Sequence, residues 1–175
     1  MSPAQFISMI CPEATKGAEI GVWRGKTSLA LLQRIPRLEL VMIDPWSVPD
    51  KGDSYYDSDK TSRYDQEKFE AAYQESKGKV QGRNAIIERM TSYEASQKYD
   101  DYSFDFVFID GDHSYEGVKR DIHLWKPKVK PGGWLIGHDY YHHSGMDDVR
   151  RAVQELLPKH EVEPRNDQGI WYIRL

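Results

Sequence analysis

Short apolar runs alternate with amphipathic segments along most of this chain. The clearest runs lie at residues 38–44, 104–110 and 134–137, and a shorter run at 17–22 contains a glycine near its end. Runs of this length that are apolar at nearly every position are typical of strands buried on both faces of a parallel sheet. We predict two further strands, at residues 84–90 and 169–175.

The segments between these runs carry apolar residues at helical spacing. A proline follows two of the predicted helices, at Pro36 and Pro158, where it would end a helix. Residues 130–133 have the sequence Lys-Pro-Gly-Gly, which predicts a turn. The predicted helices are residues 3–10, 26–34, 67–77, 115–125 and 147–157.

Strands and helices therefore alternate from one end of the sequence to the other, and such alternation favours an α/β fold. We predict a single domain over residues 1–175, with a Rossmann-like, doubly wound, mostly parallel sheet and helices on both faces. Ligands of such open sheets bind beyond the carboxyl ends of the strands. The residues that follow each strand are therefore the candidates for chemistry.

Residues 47–66 interrupt the alternation with a polar stretch rich in Ser, Asp and Tyr. Loops this long in compact domains are usually functional or disordered. Tyr55, Tyr56 and Tyr64 would suit a lid or a substrate-binding insertion above a ligand site. A solvated loop without such a role is the alternative.

Composition narrows the class of protein. Apolar residues make up 39% and charged residues 30% of the chain, which is the balance of a soluble globular domain. The formal net charge of -4 gives no overall basic field that would attract nucleic acid. No apolar stretch resembles a membrane span or a signal peptide, and the one cysteine, Cys11, forms no internal disulfide. These features predict a cytoplasmic protein without nucleic-acid or membrane partners.

A glycine turn follows the first strand, in residues 19–25 (EIGVWRG), and leads into a helix. Glycines allow a ligand to approach the backbone closely, and the helix presents free N–H groups. Neither the dinucleotide pattern G-x-G-x-x-G nor a phosphate loop is present. Asp44 follows the second strand about twenty positions later, where a carboxylate suits ribose hydroxyls. The alternative is that Asp44 only caps a turn before Pro45.

These residues resemble those of a known enzyme class. Residues 19–25 look like the first motif of class I S-adenosylmethionine-dependent methyltransferases, in the form E-x-G-x-x-x-G. Residues 108–118 resemble the IDGDHSYEGV signature of a bacterial subgroup akin to the metal-dependent sugar and macrolide O-methyltransferases, and residues 130–140 match its next motif. The resemblance covers roughly residues 17–157, and the two later motifs together are the more specific.

The resemblance implies a set of S-adenosylmethionine-binding residues. Trp46 has two interpretations, because it would either flank the adenine or pack as an aromatic residue at the sheet edge. The other implied contacts are Glu19, Gly21 and Gly25 at the amino-acid end, Asp44 at the ribose hydroxyls, Ser92 beside the adenine and Asp110 near the methyl donor.

A second cluster of polar residues follows two strands that the fold would place side by side, in residues 110–113 (DGDH) and 138–139 (HD). By the resemblance, Asp110 and Asp139, with His138, would bind Mg²⁺ or another divalent cation that lowers the pKa of the acceptor hydroxyl. Asp112 or His113 would be the general base. The related enzymes carry an acidic residue where this chain has His138. In the alternative, Asp112 caps a helix and the histidines are structural.

The leading hypothesis is an enzyme that methylates a hydroxyl oxygen of a small molecule, such as a sugar or a glycosylated metabolite, with or without metal assistance. One alternative is a metal-independent N-methyltransferase or macromolecule methyltransferase. Another is a cofactor-binding module without catalysis. A nicotinamide enzyme is disfavoured by the absent dinucleotide glycine pattern. The expected partner is a small-molecule acceptor, and homo-oligomerisation is left open.

Overall fold

The computed structural model describes residues 1–49, 64–141 and 147–175. Its helices are α1 (Pro3–Ile10), α2 (Lys26–Arg34), α3 (Gln66–Lys79), α4 (Ser92–Ser96), α5 (Tyr115–Trp125) and α6 (Asp148–Leu156), with a 3-10 turn at Lys126–Lys128. Its strands are β1 (Lys16–Ile20), β2 (Glu39–Ile43), β3 (Ala85–Glu88), β4 (Phe104–Ile109), β5 (Val129–Gly137), β6 (Glu161–Glu163) and β7 (Ile170–Arg174).

The strands form one sheet in the order β3-β2-β1-β4-β5-β7-β6. Strands β1 to β5 pair in parallel, whereas β7 runs antiparallel to both of its neighbours, β5 and β6. The order reverses between β1 and β4, which is where a doubly wound sheet opens a crevice for a ligand. The predicted α/β fold with a mostly parallel sheet is confirmed.

Each face of the sheet carries its own hydrophobic core. In β2, Leu40 and Met42 belong to one core and Val41 and Ile43 to the other, as the two-residue period of a strand requires. Helices α1, α2 and α3 supply apolar residues to the first core, and α4, α5 and α6 supply the second. Both faces of β2 are therefore covered, which explains its nearly continuous apolar sequence.

The predicted turn at residues 130–133 is wrong, because this segment lies inside β5. Between two paired positions, β4 advances from Phe104 to Phe106 while β5 advances from Val129 to Trp134. The extra residues form a bulge, and Gly132 supports it with a left-handed backbone, at φ +81°. The proline and glycines of this segment therefore belong to a bulge inside β5 and not to a turn that precedes the strand.

The predicted insertion at residues 47–66 lies partly outside the described residues, including Tyr55 and Tyr56. At its described end, Gln66 begins α3 and holds the chain after β2 by two hydrogen bonds. Its amide Nε2 donates to the Trp46 carbonyl at 3.1 Å, and its Oε1 accepts the Val48 N–H at 3.2 Å. Within the described ranges, no helix has the length and apolar character needed to cross a membrane.

Candidate functional site

A cavity of about 850 Å³ opens at the carboxyl ends of β1, β2 and β4. Its walls come from the turn after β1, the end of β2, the start of α4 and the turn after β4. This is the position expected for a ligand of a doubly wound sheet, and the volume suits a nucleoside-sized molecule. Of the predicted site residues, the cavity is lined by Glu19, Gly21, Asp44, Ser92, Asp110, Asp112 and His113.

Gly21 allows the turn after β1 to contact the turn after β4. Its φ is +85°, and a Cβ at this position would lie 2.2 Å from the Asp110 carbonyl oxygen, so a side chain would not fit. Gly25 also has a left-handed backbone, but its neighbour is Ser76 of α3, whose Cα would lie 3.0 Å from an added Cβ. Gly25 does not line the cavity. The structure thus gives Gly25 a packing role, whereas the sequence predicted a cofactor contact.

Asp44 ties the end of β2 to the glycine turn. Its Oδ2 accepts the backbone N–H groups of Val22 and Trp23 at 3.0 and 2.9 Å, and its Oδ1 accepts that of Trp46 at 2.7 Å. Burial raises the pKa of Asp44, and these three bonds oppose the rise. The carboxylate therefore holds the turn together and also lines the cavity, which combines the two interpretations of the sequence.

Trp46 lies in the core and not in the cavity wall. Its side chain is fully buried, its Nε1–H donates to the Trp23 carbonyl at 2.7 Å, and its ring contacts that of Tyr73 at a centroid distance of 5.1 Å. The expectation that Trp46 flanks an adenine does not agree with this position. The alternative, a packing aromatic, does.

Glu19 is a buried acid at the end of β1. Its Oε2 accepts the Ser28 hydroxyl of α2 at 2.5 Å. Burial raises the pKa of Glu19 to about 8, the Ser28 bond opposes this rise, and the charges of Asp110 and Asp44 add to it. A carboxyl with this pKa is largely protonated at neutral pH, and a cation in the cavity would favour its ionised form.

Ser92 is linked to a buried carboxyl that sequence reasoning missed. Its Oγ donates to Oδ1 of Asp121 at 2.6 Å and accepts the Trp125 Nε1–H at 2.8 Å. Burial raises the pKa of Asp121 to about 6, which the Ser92 bond and the nearby Arg120 oppose. Asp121 also lines the cavity. The sequence could have indicated Asp121, because it lies on the buried face of α5 at a position where helical spacing predicts an apolar residue.

Asp112 shapes the turn that precedes α5. Its Oδ1 accepts the Ser114 N–H at 2.9 Å, while Ser114 itself caps the helix by accepting the Gly117 N–H at 3.0 Å. The alternative in which Asp112 is the cap is therefore wrong. Arg120 Nη2 lies 3.7 Å from Oδ2 of Asp112. Asp112 therefore has a structural role in this turn.

Two carboxylates and two imidazoles meet where β4 and β5 end. His113 Nε2 lies 3.2 Å from Oδ2 of Asp139 and 3.7 Å from Oδ1 of Asp110. His138 Nδ1 lies 3.1 Å from the same Asp139 oxygen and 3.6 Å from Asp110 Oδ1. Burial alone would raise the pKa of Asp110, but its contacts with both histidines hold that pKa below its usual range. The predicted cluster is thus assembled, with Asp110 and His113 in the cavity wall.

Two residues between β6 and β7, Asn166 and Gln168, complete the cluster, and the sequence pattern gave no sign of them. Asn166 Oδ1 lies 3.2 Å from His138 Nε2, and Gln168 Nε2 donates to Asp139 Oδ1 at 2.8 Å. Burial alone would lower the pKa of His138, but the contacts with Asp110 and Asp139 raise it to about 10. His138 therefore carries a positive charge at neutral pH.

The fit of this cluster to a divalent cation is poor. Asp110, His113 and Asp139 offer three donor atoms within 4.8 Å of one another. The Asp139 carboxylate, however, is only 5% exposed, and both of its oxygens already have partners, His113 and His138 on one and Gln168 on the other. A divalent cation would lie beside a protonated imidazole, and Mg²⁺ prefers more oxygen ligands than these residues supply.

Comparison with known proteins identifies the family of this chain and solved structures that share its fold. Residues 18–140 match the methyltransferase domain family. An uncharacterised protein of Acanthamoeba polyphaga mimivirus is 36% identical over 53 residues, a match that spans 30% of this chain and 24% of that protein.

Solved structures share the fold at low identity. A methyltransferase of Podospora anserina with bound S-adenosylhomocysteine has a TM-score of 0.68 at 14% identity, over 99% of this chain and 79% of that one. The O-methyltransferase TomG of Streptomyces achromogenes, solved with S-adenosylmethionine, gives 0.63 at 14% identity, with 97% and 75% covered. Spermidine synthase of Thermotoga maritima gives 0.63 at 15%, with 98% and 60% covered. The fold alone therefore does not separate methyl transfer from related chemistry.

Proposed function

The chain belongs to the methyltransferase domain family, and from this premise we propose that it uses S-adenosylmethionine to methylate a hydroxyl oxygen of a small molecule. The observation that carries the proposal is the position of His113. His113 lines the cavity, both of its ring nitrogens are buried, and its Nε2 lies 3.2 Å from the buried carboxylate of Asp139. An imidazole oriented by a carboxylate is a suitable acceptor for a hydroxyl proton.

The opposite side of the cavity supports binding of S-adenosylmethionine. Gly21 leaves the backbone open to a ligand, Asp44 offers a carboxylate at the strand end, and Glu19 is a buried acid whose ionised form a cation would stabilise. The cofactor carries both an ammonium and a sulfonium charge. The bound ligands of the Podospora and Streptomyces enzymes, which share this fold, agree with that assignment.

The proposed reaction is a single displacement. The acceptor oxygen attacks the methyl carbon, an O–CH₃ bond forms, and the CH₃–S bond breaks with its electron pair passing to sulfur. The sulfonium becomes the neutral sulfide of S-adenosylhomocysteine, and the hydroxyl proton passes to His113. Asp139 stabilises the imidazolium that results. The protein must also hold oxygen, methyl and sulfur in line and exclude water.

Aromatic side chains near the cavity support an acceptor with a ring, such as a sugar or a glycosylated metabolite. Trp23 and Phe69 line the cavity with their rings edge to face at 5.6 Å, and Tyr64 stacks on Trp23 at 5.7 Å. Lys68 lies over the Tyr64 ring at 4.4 Å. Aromatic faces bind the apolar faces of rings, and the polar groups nearby can bind hydroxyls.

Ligand binding and turnover test the proposal in two steps. S-adenosylhomocysteine should raise the melting temperature, whereas NAD should not, since only a ligand of the folded state stabilises it. Transfer of a labelled methyl group should then be screened over glycosides, free sugars, amines, peptides and RNA. We expect an O-methylated glycoside or sugar, identified by NMR. Labelling of amines, peptides or RNA alone would overturn the hydroxyl assignment, and failure to bind S-adenosylhomocysteine would overturn the cofactor assignment.

A further inference from the structure

His138 is held between hydrogen-bond acceptors on both sides of its ring. Its Nδ1 faces Asp139 Oδ2 at 3.1 Å and Asp110 Oδ1 at 3.6 Å. Its Nε2 faces the side chain of Asn166 at 3.2 Å. Whether Nε2 carries a hydrogen therefore depends on which atom Asn166 presents to it.

The orientation of the Asn166 amide is fixed by two backbone partners. Its Nδ2 donates to the Met1 carbonyl at 2.9 Å, and its Oδ1 accepts the Gln168 N–H at 3.1 Å. The atom that faces His138 Nε2 is therefore an oxygen, so Nε2 must carry a hydrogen. On the other side, two carboxylates offer only acceptors, so Nδ1 must carry one too. With Asp110 and Asp139 both ionised, the hydrogen-bond pattern thus makes this side chain an imidazolium.

We propose that the His138 imidazolium is a built-in cation that neutralises Asp110 and Asp139 in place of a divalent metal ion, so that methyl transfer here needs no metal. A metal ion at these carboxylates would have to displace a hydrogen-bonded cation that Asn166 holds in place. The acidic residue that related enzymes have at this position would instead add a ligand.

This arrangement also explains how His113 would work without a metal. Asp110 and Asp139 together carry two negative charges and His138 carries one positive charge, so the three side chains leave one negative charge beside His113. That charge stabilises the imidazolium that forms when His113 accepts the hydroxyl proton. His138 and Gln168 bind different oxygens of Asp139 and so fix the carboxylate that orients His113. In this role His138 is a positioning residue. The catalytic part of the inference rests on the proposed function, whereas the metal-binding part does not.

The decisive variant is His138→Asp, compared with His138→Asn. The aspartate removes the cation and adds a carboxylate, whereas asparagine removes the cation without adding charge. Mn²⁺ titrations followed by electron paramagnetic resonance should show no stoichiometric binding to the wild-type protein at micromolar Mn²⁺. They should show at least tenfold tighter binding to the aspartate variant than to the asparagine variant. Stoichiometric micromolar binding by the wild type, or equal binding by the two variants, would overturn the proposal.

Two measurements on the wild-type protein keep the test informative if the variants fail to fold. Imidazole ¹⁵N NMR at pH 8 should show hydrogens on both ring nitrogens of His138, and a neutral tautomer would contradict the proposal. Turnover should be unchanged by EDTA, and its loss with recovery on adding Mg²⁺ would contradict it as well. If no methyl transfer is found at all, the proposed function fails, while the Mn²⁺ and NMR results still decide whether His138 excludes a metal.

Discussion

Oδ2 of Asp44 accepts the backbone N–H of Trp23 at 2.9 Å, although the two residues are 21 positions apart in sequence. Trp23 has a left-handed backbone, at φ +51°, which is unfavourable for a residue with a large side chain. The carboxylate holds this conformation and so fixes the glycine turn against the end of β2. The shape of the proposed cofactor site therefore depends on one side chain that also lines it.

Replacing Asp44 by asparagine should damage both stability and ligand binding. The two carboxylate oxygens receive three backbone N–H groups, and an amide would turn its NH₂ toward at least one of them. We expect a loss of about 1–3 kcal/mol in the free energy of unfolding. We also expect at least tenfold weaker binding of S-adenosylhomocysteine by calorimetry. Asp101→Asn, which alters an exposed partner of Lys128, is the control and should change neither quantity.

The pH dependence of stability should reveal the buried acid Glu19. The folded protein keeps this proton up to about pH 8, whereas the unfolded chain releases it near 4.5. Between these values unfolding releases a proton, so wild-type stability falls as the pH rises. Glu19→Gln has no such proton and keeps an acceptor for Ser28. Its stability relative to wild type should therefore grow by at most about 1.4 kcal/mol per pH unit and level off above pH 8.

Urea denaturation from pH 4 to pH 9 measures this difference. Glu13→Gln, at an exposed residue paired with Arg37, provides the reference and should run parallel to wild type throughout. Parallel curves for Glu19→Gln as well would mean that Glu19 is ionised in the folded protein.

Removal of the His113 imidazole should affect turnover more than binding. His113→Ala deletes the proposed base, and loss of a general base typically costs about 10²–10⁴-fold in rate. We expect kcat to fall by that order, while the dissociation constant of S-adenosylhomocysteine changes less than about tenfold. His123→Ala, on the exposed side of α5, should leave both unchanged. A kcat within threefold of wild type for His113→Ala would exclude His113 as the base.

Two glycines in helices offer a matched pair of alanine substitutions. A Cβ at Gly117 would lie 2.2 Å from Oδ2 of Asp112, whereas a Cβ at Gly78 would meet nothing within 4 Å. Gly117→Ala should therefore displace Asp112 and destabilise the protein by roughly 1–3 kcal/mol. Gly78→Ala should stabilise it by roughly 0.5–1 kcal/mol, because glycine is a poor helix former. Thermal and urea unfolding of the two variants give the comparison, and equal effects would refute the packing argument.

The sequence predicts most elements of the fold because strong local signals agree with the tertiary structure. The bounds of α2 and α5 come out as predicted, since Gly25 and Ser114 start these helices and periodic apolar residues define their lengths. Strand β6 and helix α4 were missed because they are short and polar, and such elements form only through partners distant in sequence.

The sequence predicted those site residues that directly follow a strand. It did not predict residues whose role depends on contacts with distant parts of the chain. Asp110 and His113 lie in the cavity wall because parallel strands end at the same edge. Trp46 was open to two interpretations because sequence does not show which way a ring points. Asn166 and Gln168 reach the cluster from a connection whose sequence carries no periodic signal.

The contact between Gly21 and Asp110 limits how this enzyme could evolve. The turn after β1 and the turn after β4 touch without room for a side chain. Main-chain atoms therefore set the distance between the proposed cofactor-binding residues at Gly21 and the proposed base, His113. Substitutions at this junction would alter the positions of both together. New acceptors should therefore be acquired through changes at the aromatic rim, around Trp23 and Phe69, where side chains can be exchanged while the reacting centre keeps its dimensions.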